Sequence, residues 1–415
     1  MIWRTVRTYL ELLRLPGAWQ FSLAGFVARY PMAMMAMSVA LAIPVIYGNY
    51  TLAGQIAAAN IIAFSLGAPV LARLVDRYGQ WRVLSKTVPA FGIFLLLLAG
   101  LIAAHVDGWI LVIAAIPVGA FSGALGAMVR ARWATKVSGP GQLTQAFAFE
   151  AALDEAAFAT GPMFATLLVT SVHPLAGLIA CALIQVVGGF ALIVQRGSEP
   201  APQPRVTEIH TGSVLRSKAI VILGVTYAFA GAIFGALDLA TVAFATEHGA
   251  RPLAGVLLGI VAAGSLIGAL VYGSRVWPLS QGRLFVVGIT LMAAGNMVIL
   301  LVHSMATFAL VMFVMGLTIA PTMTNVNAMV QRIVHPSQLT EGLTWLSTFM
   351  NLGVAVGAAC GGRMVDLHGA RGGCYVVALS ALATLIVGIG GAGWLRTSLH
   401  KADERRRTVW EQRHE

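Results

Sequence analysis

The fold of this chain is decided by residues 127–166, AMVRARWATKVSGPGQLTQAFAFEAALDEAAFATGPMFAT. The stretch reads as the end of one apolar helix, a short polar turn, and most of a second apolar helix. The second helix carries three carboxylates, Glu150, Asp154 and Glu155, among apolar and small residues. Acids in such surroundings are costly, so their presence predicts either ion pairing or a direct role in function.

The composition places these helices in a membrane. The chain has 415 residues, of which 58% are hydrophobic and 10% charged, and its mean hydropathy is +0.82. A soluble domain is about 25% charged. The formal charge of +11 would suit a nucleic-acid binder, yet the basic residues lie in short loops and at the termini, as topology signals do. We therefore expect a multi-pass protein of the plasma or inner membrane that binds no nucleic acid.

Twelve apolar segments are long enough to cross a bilayer, since a spanning helix needs about 20 apolar residues. An even number puts both termini on the same side, and the excess of arginine and lysine in the loops of that side predicts that it is cytoplasmic. The segments, numbered 1 to 12, are 18–45, 52–73, 84–104, 109–130, 143–170, 174–194, 219–245, 253–274, 283–303, 306–328, 341–364 and 373–395.

The two halves of the chain look like copies. AMV at 127–129 returns at 328–330, and QLT at 142–144 returns at 338–340, while only the first copy carries the three acids. Internal repeats around a central site are typical of secondary transporters.

A polar stretch divides the segments six and six. It covers residues 195–218 and reads as a cytoplasmic linker between two pseudo-symmetric six-helix bundles, 18–194 and 219–396. Residues 1–17 predict an amphipathic helix on the cytoplasmic surface, and 397–415 a cytoplasmic tail. The predicted fold class is thus an all-α membrane protein with twelve transmembrane helices.

The loop after segment 2 carries a family resemblance. Residues 72–84, ARLVDRYGQWRVL, resemble the signature loop of the major facilitator superfamily, and the resemblance extends over essentially the whole chain. Asp76, Arg77 and Gly79 match the signature, and Arg82 lies near its second basic position. In that family the aspartate is taken to lock the cytoplasmic gate against helix 11, which the resemblance implies for Asp76. A basic turn that only fixes topology is the alternative.

Segment 5 also resembles the antiporter motif of that family, because Gly161 and Pro162 match its central glycine and proline while the flanking glycines are lost. The resemblance implies that helices 2, 5, 8 and 11 line the seam between the bundles. Rows of small residues let helices approach closely, and on segments 8 and 11 such rows contain Gly264, Gly268, Gly353 and Gly357. Ordinary packing within a bundle is the alternative.

The acids of segment 5 lie on two faces. At 100° per residue, Glu150, Asp154 and Gly161 fall in one narrow band, whereas Glu155 is turned by about 100° and should face a neighbouring helix. Glu150 and Asp154 are therefore expected on the side of the seam.

Depth in the membrane suggests partners for these acids. Arg29 of segment 1 and Asp154 lie at a similar depth, roughly 17 Å from the cytoplasmic ends of their helices. We therefore expect Arg29 to pair with Asp154 or Glu155, and the shallower Arg130 to lie nearer Glu150. Arg132 should either reach the surface or contact Asp76.

Two roles remain open for this cluster. A pair that breaks and reforms as the bundles rock would take up and release a proton, which an antiporter needs. A permanent ion pair would only hold the bundle together. Asp238 of segment 7 is a second candidate proton site, or a solvated acid near the outer mouth of the cavity.

Other polar and adaptable residues suggest a substrate cavity. Methionine adapts to irregular ligands, so Met35 could line a cavity with Tyr227 and Phe234, although ordinary packing explains each equally well. Asn325 and Asn351 add polar groups. The three cysteines show no spacing for a metal site or disulfide framework, and no cofactor is predicted.

The resemblance and the repeats together predict a function. We expect a non-enzymatic transporter, functioning as a monomer by alternating access, most simply for proton-coupled efflux of a small amphipathic organic molecule. The partners implied are the lipid bilayer, the small-molecule substrate and protons. Proton-coupled or facilitative uptake of a sugar or metabolite is one alternative, and a non-transporting sensor or lipid-translocating protein of the same fold is another.

Overall fold

The computed structural model describes residues 11–123, 125–137, 140–202, 214–273, 277–334 and 338–411. The described chain is helical, with short turns between the helices. The predicted amphipathic helix lies largely outside these residues, and residues 203–213 of the linker and 412–415 of the tail lie wholly outside them. The α-helices are Ala18–Arg29, Pro31–Tyr47, Tyr50–Tyr78, Gln80–Ala103, Gly108–Phe121, Leu125–Lys136, Pro140–Ser171, Ala176–Val194, Lys218–Glu247, Ala254–Gly273, Gln281–Val298, Met305–Ile333, Leu339–His368 and Ala370–Glu411.

Twelve helical stretches among the described residues are long and apolar enough to cross a membrane, which confirms the predicted fold class. A helix satisfies its own backbone hydrogen bonds, so an apolar chain can be helical throughout the lipid core. Numbered 1 to 12 like the segments, the spans are Ala18–Tyr47, Tyr50–Tyr78, Gln80–Ala103, Gly108–Lys136, Gln145–Ser171, Ala176–Val194, Lys218–Glu247, Arg251–Gly273, Gln281–Leu301, Met305–Ile333, Glu341–His368 and Ala370–Ala402.

The chain forms two compact units. The first comprises Met1–Thr207 with Arg251–Gly259, and the second comprises Glu208–Ala250 with Ile260–Glu415. Each has its own apolar core, built around Phe21 and Trp133 in the first unit and around Phe285 and Met329 in the second.

The first unit takes in the beginning of span 8, which the sequence assigned to the second bundle. Arg251 donates a hydrogen bond to the carbonyl oxygen of Leu41 in span 1. Gly255 packs so closely on span 5 that a Cβ atom there would collide with the carbonyl of Pro162. These contacts explain why the segment groups with the first six spans.

Two spans of the first unit are interrupted. Span 1 consists of the helices Ala18–Arg29 and Pro31–Tyr47, which meet at Tyr30 because Pro31 starts a new first turn. Span 4 breaks after Phe121, where Gly123 takes a φ of 73° that favours glycine, and its helix restarts at Leu125. Both interruptions lie beside the charged cluster described below.

The glycine rows of spans 8 and 11 pack inside the second unit. Cβ atoms at Gly264 and Gly268 would collide with carbonyls of span 10, and those at Gly353 and Gly357 with carbonyls of span 7. The expected seam position is therefore corrected for these four glycines. Their small size lets neighbouring helices of one unit touch through their backbones, which is the packing alternative.

Candidate functional site

A buried ion-pair cluster joins spans 1, 4 and 5 in the first unit. The Arg29 guanidinium donates through Nε to Asp154 Oδ1 and through Nη2 to Glu150 Oε2, each at 2.5 Å. Glu150 and Asp154 are one helical turn apart, so they reach Arg29 from the same face of span 5. The structure thus brings Arg29 to Asp154, and not to Glu155.

Glu150 lies in the most enclosed part of the cluster. Its side chain is 1% exposed, and besides Arg29 it accepts hydrogen bonds from Ser22 Oγ at 2.5 Å and from Trp133 Nε1 at 2.7 Å. The Trp133 ring stands edge-on to Phe21, with the two centroids 4.9 Å apart. A carboxylate with three donors in an apolar core is firmly held, because a buried charge needs such partners.

Asp154 is held differently. Its Oδ2 accepts a hydrogen bond from Arg130 Nη2 at 2.7 Å, so one carboxylate bridges the guanidinium groups of Arg29 and Arg130. The Asp154 side chain is 25% exposed and that of Arg130 is 34% exposed. The prediction that Arg130 lies nearer Glu150 is wrong. Glu150 is turned into the core towards Ser22 and Trp133, which leaves Asp154 as the acid within reach of Arg130.

Glu155 does not join the cluster. Its side chain is exposed rather than packed on a neighbouring helix, which corrects the expectation from helical geometry. Glu155 does point away from Glu150 and Asp154, but no helix in the described part of the chain covers the face on which it lies.

A cavity of about 180 Å³ opens beside the cluster, within the first unit. Arg29, Arg130 and Asp154 supply its charged wall, and Met32 and Phe64 supply apolar walls. The first turn of the restarted helix of span 4, Leu125 to Ala127, also borders it. Gly126 makes room for the arginines, because a Cβ atom there would lie 3.1 Å from Arg130 Nη1. Met35, predicted to line a cavity with Tyr227 and Phe234, is partly buried, and Met32 lines the cavity beside the cluster.

The signature loop after span 2 contains an exposed carboxylate. Asp76 and Arg82 are exposed, and Arg77 lies over the ring of Tyr78 at 5.1 Å from its centroid. Gly79 takes a φ of 88° and separates the helices of spans 2 and 3.

Arg132 neither reaches the surface nor contacts Asp76, so both expectations for it are wrong. It is 1% exposed and donates to Gln80 Oε1 at 2.7 Å and to Ser198 Oγ at 2.7 Å. It also donates to the carbonyl oxygen of Leu192 at 3.1 Å. The five donors of a guanidinium group suit such convergent acceptors better than a single exposed carboxylate.

Residues just after span 6 complete this arrangement, and sequence reasoning missed them. Glu199 accepts a hydrogen bond from the backbone N–H of Trp81 at 3.0 Å, in the first turn of span 3. Arg196 stacks on the Trp81 ring at 3.9 Å from its centroid. A carboxylate at a helix N-terminus is favourable. The signal available was that Arg196 and Glu199 are the first charges after a long apolar run.

The other predicted site residues lie on span 5 or in the second unit. Gly161 packs on span 1, where its added Cβ atom would lie 2.8 Å from Ala33 Cβ, and Pro162 is buried. Asp238 is partly buried, and it has no hydrogen-bonding or ionic partner in the residues that the structure describes. Phe234 and Asn351 are partly buried as well.

Tyr227 and Asn325 use their polar atoms in packing. Tyr227 donates to the carbonyl oxygen of Met323 at 3.0 Å. Asn325 donates through Nδ2 to that of Gln281, also at 3.0 Å. Both contacts join spans of the second unit, so neither side chain is held free for a ligand.

Comparisons with known proteins agree with this architecture. The family model described as Major Facilitator Superfamily matches residues 21–279 and 223–411. Among solved structures, the nucleoside transporter NupG is 12% identical, with a TM-score of 0.73 over 91% of this chain and 98% of that one. A bacterial homologue of the iron transporter ferroportin, in its inward-facing state, is 18% identical, with a TM-score of 0.67 over 91% and 98%.

A third solved structure, a bacterial metal transporter, is 18% identical, with a TM-score of 0.65 over 92% of this chain and 99% of that one. A search of curated proteins found no significant match. At these identities the solved structures support the fold alone, whereas the family model covers nearly the whole length. The chain therefore belongs to the major facilitator superfamily of membrane transporters.

Proposed function

We propose that this secondary transporter moves a small amphipathic organic molecule by alternating access and couples that movement to protons through Asp154. The observation that carries the proposal is the bridging position of Asp154. It joins two guanidinium groups at the edge of a cavity and is 25% exposed, whereas Glu150, one turn away, is enclosed and 1% exposed.

The two acids are thus suited to different roles. Glu150 has three donors and a core position, so it acts as the structural anchor of Arg29. In the described part of the chain Asp154 is bound by Arg29 and Arg130 alone, and Arg130 borders the cavity. If Arg130 moves away during transport, a poorly paired carboxylate remains, and such a group favours the protonated form.

The charged groups around Asp154 belong to three spans. Arg29 faces it from span 1 and Arg130 from span 4, while Glu150 and Glu155 are its neighbours on span 5. The amide of Gln185 on span 6 lines the same cavity without charge. Protonation of Asp154 would leave the two arginines opposed by Glu150 alone, which gives the cluster two states of different charge.

Two directions of transport each have an observation in support. Export is supported by Gly161 and Pro162 on span 5, which resemble an antiporter motif, and Gly161 packs on Ala33 of span 1. Uptake is supported by the charged wall of the cavity, since an anionic solute that binds beside Arg130 and Asp154 would bind together with a proton. We retain export as the first candidate and uptake as the second.

Further parts of the proposal concern orientation and gating. The loop charges support cytoplasmic termini and a place in the plasma or inner membrane. We propose two six-helix bundles, 18–194 and 219–396, joined by the linker 195–218, in a monomer. Asp76, Arg77 and Gly79 are proposed as part of a cytoplasmic gate because of their match to the family signature. The exposed position of Asp76 leaves it available for a moving partner.

Proton flux in proteoliposomes tests the coupling group. Purified protein is reconstituted around a pH-sensitive dye, and small organic acids, amines and nucleosides are added one at a time. We expect at least one solute to move protons, with the sign of the pH change giving the direction. Asp154→Asn should abolish this flux, and Asp107→Asn, an exposed acid in a loop, should not. Undiminished proton flux in Asp154→Asn would exclude Asp154 as the coupling group.

A further inference from the structure

The cavity beside the charged cluster has more hydrogen-bond donors than acceptors. Both oxygens of Asp154 are bound, and Glu150 accepts bonds from three side chains. The arginines are not used to the same extent, because Arg29 Nη1 is buried and has no hydrogen-bond partner among the described residues. Arg29 as a whole is only 6% exposed, and a buried donor without an acceptor is a costly feature that needs an explanation.

Arg130 adds further donor capacity. One hydrogen bond, from its Nη2 to Asp154, is seen in the described structure, although a guanidinium group carries five N–H donors. Its side chain lines the cavity and is 34% exposed. A ligand entering the cavity therefore meets a guanidinium group that can form a bidentate contact without disturbing the buried pair of Arg29 and Glu150.

The interrupted span 4 also provides hydrogen-bond donors and partial positive charge at the cavity. Its second helix, Leu125–Lys136, presents its first turn to the cavity. The first four N–H groups of a helix have no partner within it, and the helix dipole places partial positive charge at this end. Interrupted membrane helices hold anionic groups in this way in other transporters.

From these three independent features we infer that the cavity of the first unit binds the carboxylate group of a small organic acid. The carboxylate takes donors from Arg130 and from Arg29 Nη1, close to the first turn at Leu125. The body of the ligand lies against Met32 and Phe64. The inference names the substrate class of the proposed transporter and rests on that proposed function only for the claim that the bound acid is transported.

Size limits the ligand. The cavity volume of about 180 Å³ is close to that of an engineered cavity of about 150 Å³ that binds benzene. That space suits a short monocarboxylate with an apolar chain or a single ring, and it excludes large conjugates. Each CH₂ group buried against the apolar walls should tighten binding by up to about fourfold until the space is filled.

The charges around the cavity indicate that a proton binds together with the carboxylate. The charges of Arg29, Arg130, Glu150 and Asp154 sum to zero, and the exposed Glu155 lies outside this cluster. A bound carboxylate therefore adds one uncompensated negative charge to the cluster. Transfer of a proton to Asp154 restores neutrality and frees donors of Arg130 for the ligand. Acid and proton then bind together and move in the same direction, which corresponds to the second candidate, uptake, under an inward proton gradient.

Calorimetric titration of the purified full-length protein in detergent tests the site. The probes are butyrate, its neutral analogue butyramide, and the series from formate to hexanoate. We expect butyrate to bind and butyramide not to bind. Arg130→Gln removes a charged hydrogen-bond donor and should lower the affinity for butyrate about 10- to 100-fold. Arg73→Gln, which removes an exposed arginine of the same unit, should leave the affinity unchanged.

Two further measurements keep the result decisive if Arg130→Gln folds poorly. Gly126→Val retains every charge and places a side chain beside Arg130. It should therefore lower the affinity for butyrate by about tenfold or more. Titration in two buffers of different ionisation enthalpy should show the uptake of about one proton per bound butyrate. Asp154→Asn should still bind butyrate but take up none.

Three results would overturn the site: equal binding of butyramide, unchanged affinity in both Arg130→Gln and Gly126→Val, or no binding of any acid in the series to folded protein. The site and the proposed function fail separately. Butyrate binding without any proton-coupled flux would refute the transport proposal alone. Proton-coupled flux of other solutes without carboxylate binding would refute the site alone.

Discussion

Removal of the Arg29 guanidinium gives the most direct test of how the first unit is held together. We consider Arg29→Met, which keeps the length of the side chain and removes its charge. The change leaves Glu150 with Ser22 and Trp133 but without a positive partner, in a site where its side chain is 1% exposed. Asp154 loses one of its two partners and keeps Arg130.

The expected cost follows from burial. Breaking a buried ion pair by removing one partner typically costs about 3–5 kcal/mol, because the remaining charge is left uncompensated. The partly exposed Asp154 adds little, since solvent and Arg130 still stabilise it. For a unit of about 200 residues, this loss corresponds to a fall in Tm of roughly 10 °C.

A second substitution separates the charge effect from lost packing. In Arg29→Met with Glu150→Gln, the glutamine oxygen can still accept hydrogen bonds from Ser22 and Trp133, and no buried charge is left unpaired. We expect the double variant to recover at least half of the lost stability, because replacing both members of a buried pair is often nearly neutral. Arg73→Met, at an exposed position, serves as the control and should change Tm by less than about 2 °C.

Thermal unfolding in detergent, followed by tryptophan fluorescence, provides the measurement. Trp133 contacts Glu150 directly, so its emission also reports a local rearrangement. The reasoning is refuted if Arg29→Met unfolds within about 2 °C of the parent protein. It is equally refuted if the second substitution lowers Tm further, since that would mean that Glu150 is stabilised without Arg29.

Two more predictions concern close packing and the contacts after span 6. Gly119→Ala should destabilise the protein by about 1–3 kcal/mol, because its Cβ atom would collide with the carbonyl of Asn60. Gly100→Ala, in open space, should be neutral or slightly stabilising, and equal Tm values for the two would contradict this account. Ser198→Ala should cost about 1.5–3 kcal/mol because it removes an acceptor from the charged Arg132. Proteolysis after span 6 should then become faster than in the parent protein, and an unchanged cleavage rate would show that Arg132 does not hold this segment.

The sequence predicted one of the cluster contacts and misplaced another. Depth along the helices limited the partners of Arg29 to Asp154 or Glu155, because two helices that start at the same surface keep a common scale of 1.5 Å per residue. The same scale put Arg130 beside Glu150, whereas Arg130 contacts Asp154. Depth does not include rotation about the helix axis or the reach of a long side chain. These two quantities determined that Arg130 contacts Asp154 and not Glu150.

Arg132 shows a different limit of sequence reasoning. A basic residue near the end of an apolar segment is most often at the surface, so burial was the less expected outcome. The acceptors that bury it come from spans 3 and 6 and from Ser198, which are 52 to 66 residues away in sequence. Only the fold brings these acceptors to one point.

By itself the sequence determined the class of protein and the number of spans, because the length and apolarity of each segment are local properties imposed by the bilayer. It also identified Glu150 and Asp154 as acids in need of partners, since the cost of an intramembrane charge holds in any fold. The tertiary structure decided which arginine contacts which acid and where the helix of span 4 is interrupted. It also decided that a cavity lies beside Arg29, Arg130 and Asp154. Those features depend on helix rotation and packing across distant parts of the chain, which no local pattern encodes.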